Sequence, residues 1–331
     1  MQDMEREKVY SMLLQISRET GVPVKKIQDM LYILSSGQPV DNNQLIQALG
    51  VSRNALNQVK LLLSSYLENP SKNTQLNADG KREIKNMFLN NEHLPEELLF
   101  SLLENQQYRD TIEFLRGIQK SRPTPNREYD QFTATLETTA RRSTLLQFMG
   151  DIEGKRILLL GDDDFTSVAI ARYGNAKEIA VLDIDKRVMD GIKNVSTQQK
   201  FGIITNEYDA RKTLPRDFSG KYDVVFTDPP YTLNGISLFV SRAIEALDTS
   251  NQSARLYLSY GNSDRAKERF IPIYANLADS GLMIRWVFDK FNRYNGAEAI
   301  GSASSLFICD ITPKTQALVN GSYDKPIYTN N

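Results

Sequence analysis

Apolar residues recur at helical spacing through the first ~115 positions, and no stretch there alternates in the way a strand requires. Val9, Met12, Leu13 and Ile16 share one face over Met1–Glu19, and Ile27, Met30, Leu31 and Ile33 repeat the pattern over Val24–Ser35. Residues 41–59 predict a helix-turn-helix. Asp41 caps the first helix, Gly50 supplies the turn, and Ser52 caps a second helix with Leu56, Val59 and Leu63 on one side. After Gly154 the period changes. Strands are predicted at Arg156–Leu160, Glu178–Leu182, Gly202–Thr205, Tyr222–Thr227, Leu256–Ser259, Met283–Phe288 and Leu306–Asp310. Helices at Phe165–Tyr173, Lys186–Asn194, Ser237–Ala246 and Asp264–Ala278 fall between them. This alternation predicts an α/β fold with a doubly wound, mostly parallel Rossmann-like sheet, its last two or three strands forming an antiparallel edge.

The expected division is a helical domain over 1–118, a connecting segment over 119–150, a Rossmann-like domain over 151–312 and a flexible tail over 313–331. The connection contains Arg122-Pro123-Thr124-Pro125, which holds it extended, followed by Tyr129, Asp130 and Gln131. Two readings stand for it: a plain linker, or a segment lining a neighbouring cleft. Residues 292–296 are a candidate second flexible loop near the same cleft.

Composition narrows the chemistry. The 331 residues carry 40 basic and 41 acidic side chains, a formal net charge of −1, which gives no support to a large positive field for nucleic acid. Only Arg53 and Lys60 are basic in the second helix of the helix-turn-helix. Packing or dimerisation is therefore favoured there over DNA binding. A single cysteine, Cys309, and a single histidine, His93, leave no thiolate cluster, His-based metal site or Ser-His-Asp triad. Carboxylates must do the chemistry, and no metal is expected. No apolar run approaches the ~18 residues of a membrane span and no signal peptide is evident, so the expectation is a cytoplasmic protein.

Two motifs stand where α/β enzymes place their sites. Asp228-Pro229-Pro230-Tyr231 follows the apolar run ending at Thr227, joining a carboxylate, a rigid turn and an aromatic face that suit a docked amine. Gly161-Asp162-Asp163-Asp164 follows Leu160 where a nucleotide-binding turn is usually glycine-rich, so the loop repels phosphate and welcomes a cation. The plainer reading is that these aspartates cap the helix beginning near Phe165. One carboxylate suffices for a cap, and three adjacent ones point to function. Asp183 closes the second strand at the position from which acidic side chains reach ribose hydroxyls, and Asp209 follows the third strand where an adenine would lie.

Asp228-Pro229-Pro230-Tyr231 with Asp183 and Asp209 resembles the class I S-adenosylmethionine-dependent transferases. Its pairing with Gly161-Asp162-Asp163-Asp164, behind a winged-helix-like domain and the segment from Arg122 to Gln131, resembles the branched-chain polyamine synthases. That resemblance implies aminopropyl transfer from decarboxylated S-adenosylmethionine, a co-substrate rather than a prosthetic group, to an internal amine of spermidine, releasing 5′-methylthioadenosine. Donor contacts are implied for Gly161, Asp164, Asp183 and Asp209, and polyamine contacts for Asp163, Pro229, Tyr231, Tyr129, Asp130 and Glu137. Asp162 is expected to orient and deprotonate the amine, with Asp228 and the Pro229 carbonyl accepting hydrogen bonds from it. The resemblance also implies a mobile tail over the polyamine, and a homodimer is expected. Two other classes fit parts of the sequence: an amino-methyltransferase acting on nucleic acid or protein, and a polyamine-sensing DNA-binding regulator.

Overall fold

In this computed structural model, which describes residues 2–49, 51, 53–88, 105–261, 267–295 and 303–329, the chain divides into two units. The first comprises Met1–Leu103 and Phe148–Gly154, the second Glu104–Gln147 and Lys155–Asn331.

The helical periodicity of the first unit resolves into α1 (Gln2–Thr20), α2 (Val24–Ser35), α3 (Asn42–Leu49), α4 (Arg53–Leu62) and α5 (Ala78–Phe88). Leu13, Ile27, Leu31, Leu34, Leu45 and Leu63 are sealed in a common core. Gly50 and Ser52, the expected turn and cap, lie outside the described residues. A hairpin of β1 (Leu67–Glu68) and β2 (Gln75–Leu76) was not expected from the sequence, because two-residue strands are too short to show an alternating pattern. Lys60, one of the two basic residues of α4, is buried, its ammonium bonded to Asn42 and to the Pro70 carbonyl.

The second unit begins earlier than residue 119. Helix α6 (Gln106–Ile118) belongs to it because Ile112 and Leu115 pack on Ala140 and Ala169. Next come β3 (Thr133–Ala134), α7 (Leu136–Phe148), β4 (Arg156–Leu160), α8 (Thr166–Tyr173), β5 (Glu178–Asp183), α9 (Lys186–Gln199), β6 (Ile204–Glu207) and β7 (Val224–Thr227). The unit closes with α10 (Leu233–Ala246), β8 (Arg255–Gly261), α11 (Ile271–Asp279), β9 (Met283–Asn295) and β10 (Ala303–Asp310). The expected helix start at Asp264 lies outside the described residues.

Sheet order is β3-β9-β10-β8-β7-β4-β5-β6. Strands β6, β5, β4, β7 and β8 are parallel, whereas β10 is antiparallel to β8 and β9, and β3 to β9. The apolar runs of β4 and β7 are buried on both faces, as helix-covered parallel strands require. Residues 292–295, a candidate loop in the sequence, instead continue β9, where Asn292 and Tyr294 are buried. Residues 313–329 have no regular secondary structure, yet they are packed: Ile327 and Tyr328 are buried in the sheet's core, and Thr329 bonds to Asp130.

Candidate functional site

The chain runs outward from β4 through β5 to β6, then returns to β7 on the other side of β4. Such a reversal opens a crevice at the carboxyl ends of the strands. The two motifs meet there, one leaving β4 and the other leaving β7.

Gly161 makes the first turn. Its φ of +77° favours glycine, its amide donates to the Leu182 carbonyl at 2.8 Å, and an added Cβ would point into open space. Asp162 then turns inward. Its two carboxylate oxygens accept the Thr166 and Ser167 amides at 2.7 and 3.0 Å, so it caps α8. It is 3% exposed, and burial pushes its pKa up to about 7 against the pull of those hydrogen bonds. Asp162, expected to face the amine, has both oxygens on helix amides and lines neither cavity described below.

Asp163 points the other way. It lines a crevice of about 480 Å³ together with Gly161, Asp183, Tyr208 and Tyr328, and also a neighbouring one of about 300 Å³ with Phe132, Pro229, Tyr231 and Tyr294. The walls shared by the two are Tyr129, Gln131, Asp163, Asp228 and Pro230. Burial, reinforced by Asp164, Asp183 and Asp228, pushes the Asp163 carboxyl well above the usual range, with Arg122 pulling the other way.

Asp164 lines neither crevice. It accepts from Arg122 at 2.9 Å, from the Ala134 amide at 2.7 Å and from Arg142 at 3.0 Å. With both oxygens engaged it ties the connecting segment, α7 and the β4 loop together. Arg142 is 1% exposed and also donates to Asp228 Oδ2 at 2.8 Å. Its guanidinium is held charged: burial alone would lower its pKa, but Tyr294, Asp164 and Asp228 outweigh that and raise it. Tyr294 donates to the same Asp228 oxygen at 2.6 Å. Burial raises the Asp228 pKa, and Arg142 and Tyr294 restrain the rise.

Asp183 lines the larger crevice, accepting the Asp162 and Asp185 amides, and burial lifts it to about 6. Asp209 does not line it. Its carboxylate is clamped by Arg211, and the wall there is made by Tyr208 and Ala210. Glu137, expected to contact the polyamine, lines neither crevice: it is exposed in the first turn of α7, where its charge acts on Tyr108 and Arg116.

The connecting segment lines the site rather than merely linking. Tyr129 and Gln131 border both crevices, and Asp130 and Phe132 the smaller one. Asp130 adopts φ +55° and receives the Thr329 amide at 3.0 Å, while Tyr129 and Tyr328 rings lie 5.7 Å apart. The Tyr231 ring meets Phe132 edge-on at 6.0 Å. Arg142, Tyr294 and Tyr328 were not singled out from sequence as site residues. Arg142 sits in a run of polar helix residues, and nothing local marks it as buried.

Among the described residues, no cluster of three metal-ligating side chains occurs and no helix is long and apolar enough to cross a membrane. The arrangement suits cations: four carboxylates ring the crevices, two buried arginines neutralise Asp164 and partly Asp228, and Asp163 carries no cationic partner at hydrogen-bond distance among the described residues.

Residues 110–326 match the family described as branched-chain polyamine synthase A C-terminal domain. An uncharacterised protein of Methanocaldococcus jannaschii is 31% identical over 98% of this chain and 83% of its own length. The N(4)-bis(aminopropyl)spermidine synthase of the same organism is 35% identical over 57% of this chain and 54% of its own length. The chain thus aligns with about half of that synthase. The branched-chain polyamine synthase of Thermus thermophilus, solved with N4-aminopropylspermidine and 5′-methylthioadenosine, superposes with a TM-score of 0.62 over 97% of this chain and 98% of that one, at 21% identity. The likeness extends the common fold through both units.

Proposed function

The chain belongs to the branched-chain polyamine synthase family, and on that premise we propose that it transfers the aminopropyl group of decarboxylated S-adenosylmethionine to a secondary amine of a polyamine. The observation that carries this is the pair of crevices meeting at Asp163 and Asp228. The larger one receives the nucleoside: Asp183 faces the ribose hydroxyls and Tyr129 and Tyr328 flank the adenosyl group. The smaller one is walled by Tyr129, Phe132, Tyr231 and Tyr294, aromatic faces that suit methylenes and ammonium groups. The aminopropyl chain crosses the shared border.

Displacement requires a neutral amine in line with the carbon–sulfur bond. The nitrogen lone pair forms the new bond to the aminopropyl carbon next to sulfur. The carbon–sulfur electrons stay on sulfur, and 5′-methylthioadenosine departs. Asp163 takes the amine proton. Its raised pKa narrows the gap to the amine, and desolvation of the amine narrows it from the other side. Asp228 Oδ1 and the Pro229 carbonyl orient the nitrogen. The role expected of Asp162 therefore passes to its neighbour. An acidic border also repels the carboxylate of intact S-adenosylmethionine, favouring the decarboxylated donor.

Burial of Lys60 leaves α4 with little positive charge to offer a phosphate backbone, supporting small polyamines rather than nucleic acid as the partner. The test is incubation of purified protein with decarboxylated S-adenosylmethionine and a panel of amines, with products identified by mass spectrometry. Release of methylthioadenosine with a branched product is expected. Methyl transfer from the intact donor, with no methylthioadenosine from the decarboxylated one, would favour an amino-methyltransferase.

A further inference from the structure

We propose that the buried hydrogen-bond network from Arg142 through Asn292 and Ser304 to Tyr294 is a positioning device. It holds Asp228 with one oxygen bound to protein and the other offered to the acceptor amine. The proposal rests on the aminopropyl-transfer reading for its catalytic consequence, but not for the geometry of the carboxylate.

The proton directions in this network are forced by chemistry. Arg142 has donors only. Its Nε donates to Asn292 Oδ1 at 2.9 Å, which turns the Asn292 amide nitrogen toward Ser304 Oγ at 2.9 Å. Ser304 Oγ thereby accepts from Asn292, and it lies 2.9 Å from Tyr294 Oη, where on geometry alone either hydroxyl could donate. Tyr294 Oη accepts from Arg142 Nη2 at 3.2 Å. A phenol has one proton, and the carboxylate oxygen Oδ2 of Asp228 takes it at 2.6 Å, so Ser304 is the donor in its bond to Tyr294. Arg142 Nη2 meets the same oxygen at 2.8 Å. Every donor in the chain points the same way.

Arg142, Asn292, Tyr294 and Ser304 come from α7, β9 and β10, and each is buried. Two donors converge on Oδ2, while no described hydrogen bond reaches Oδ1, and Asp228 borders both crevices. The groups facing Asp228 are Arg142 from α7, Asp163 and Asp164 from the β4 loop, Tyr231 from its own turn and Tyr294 from β9. Only Arg142 and Tyr294 favour its ionised form. Oδ2 of Asp228 is thus held as an acceptor, and Asp163, which has no cationic partner at hydrogen-bond distance among the described residues, is left to take the proton. Tyr294 and Arg142 are positioning residues: they act through Asp228.

The test compares wild type with Tyr294→Phe and Ser304→Ala in the full chain. Two readouts are used: titration of the Asp228 carboxyl by 13C NMR, assigned with Asp228→Asn, and turnover against pH. Loss of the phenol donor is expected to move the Asp228 titration up by about one unit. It should shift the acid limb of kcat the same way, and lower kcat ~10- to 100-fold, with donor KM within about threefold. Ser304→Ala, which keeps the phenol, should give a smaller shift of the same sign. An unmoved Asp228 titration in both variants overturns the proposal, as does a fall in kcat that merely follows a loss of thermal stability. If wild type releases no methylthioadenosine, the activity reading fails, while the carboxyl titration still decides the network.

Discussion

Replacing Asp163 by asparagine, alongside the same change at Asp162, separates two neighbours that the sequence presents as equivalent. Asparagine keeps the shape and one acceptor but takes no proton. If Asp163 is the base, its loss should lower kcat by ~10²–10⁴-fold, as for other positioned bases, which corresponds to about 3–5 kcal/mol of barrier. The fold should not suffer, because the change removes one negative charge from a set that includes Asp164, Asp183 and Asp228. Asp162→Asn should do the reverse. Its two oxygens hold amides at 2.7 and 3.0 Å, and an asparagine accepts through one oxygen, so one helix-start amide is left unpartnered. The expected cost is about 1–2 kcal/mol of stability, with kcat within about tenfold of wild type because Asp162 lines neither crevice. The assay is methylthioadenosine release by liquid chromatography from pH 6 to 9, with thermal melting of each variant. An Asp163→Asn enzyme retaining more than about a tenth of wild-type turnover would falsify the assignment. So would an Asp162→Asn enzyme that is inactive but unchanged in melting.

Arg142→Met should destabilise the protein by about 3–5 kcal/mol, since it strips a buried partner from Asp164 and Asp228. Differential scanning calorimetry should show the deficit shrinking as pH falls and Asp228, whose pKa burial raises, takes up its proton. The folded pKa values of Asp162 and Asp183, about 7 and about 6, lie above their ordinary 3.8. The folded state therefore holds protons that the unfolded chain releases, so the stability these groups contribute is full below 3.8 and lost as pH rises through about 6 to 7. Urea titrations at pH 5 and 8 check the sign, and a flatter profile in Asp162→Asn is expected. Cationic ligands should pull protons off Asp163 and Asp183. Calorimetric binding of polyamine and donor in buffers of different ionisation enthalpy should show net proton release, and proton uptake would contradict the crevice assignment. Gly161→Val should raise the donor KM by both strain and intrusion, because φ is +77° and the added side chain points into open space beside the nucleoside wall. An unchanged donor KM would move the nucleoside elsewhere.

The parallel sheet was legible because strands buried on both faces read as continuous apolar runs, and each run ended at a motif. Gly161, Asp163, Asp183, Asp228, Pro229, Tyr231, Tyr129 and Asp130 all line the crevices anticipated from their positions at strand ends or in the connecting segment. Asp162, Asp164, Asp209 and Glu137 do not, each for a local reason. One caps a helix, one is shared by two arginines, one is clamped by Arg211, and one faces outward from the first turn of α7. The tail, expected to be flexible, carries buried Ile327 and Tyr328, which lone apolar residues near a terminus do not reveal.

Sequence by itself determined the architecture and the class of chemistry. Periodicity sets which faces are buried, and with a single histidine and a single cysteine in the chain the acidic motifs at strand ends pointed to carboxylates as the groups to move a proton. Tertiary structure alone decided which carboxylate is available. Three consecutive aspartates are chemically identical along the chain, and they differ only in what surrounds them: helix amides for Asp162, two guanidinium groups for Asp164, and the two crevices for Asp163. Those surroundings are assembled from α7, α8 and the connecting segment, whose spacing in sequence carries no record of their meeting in space.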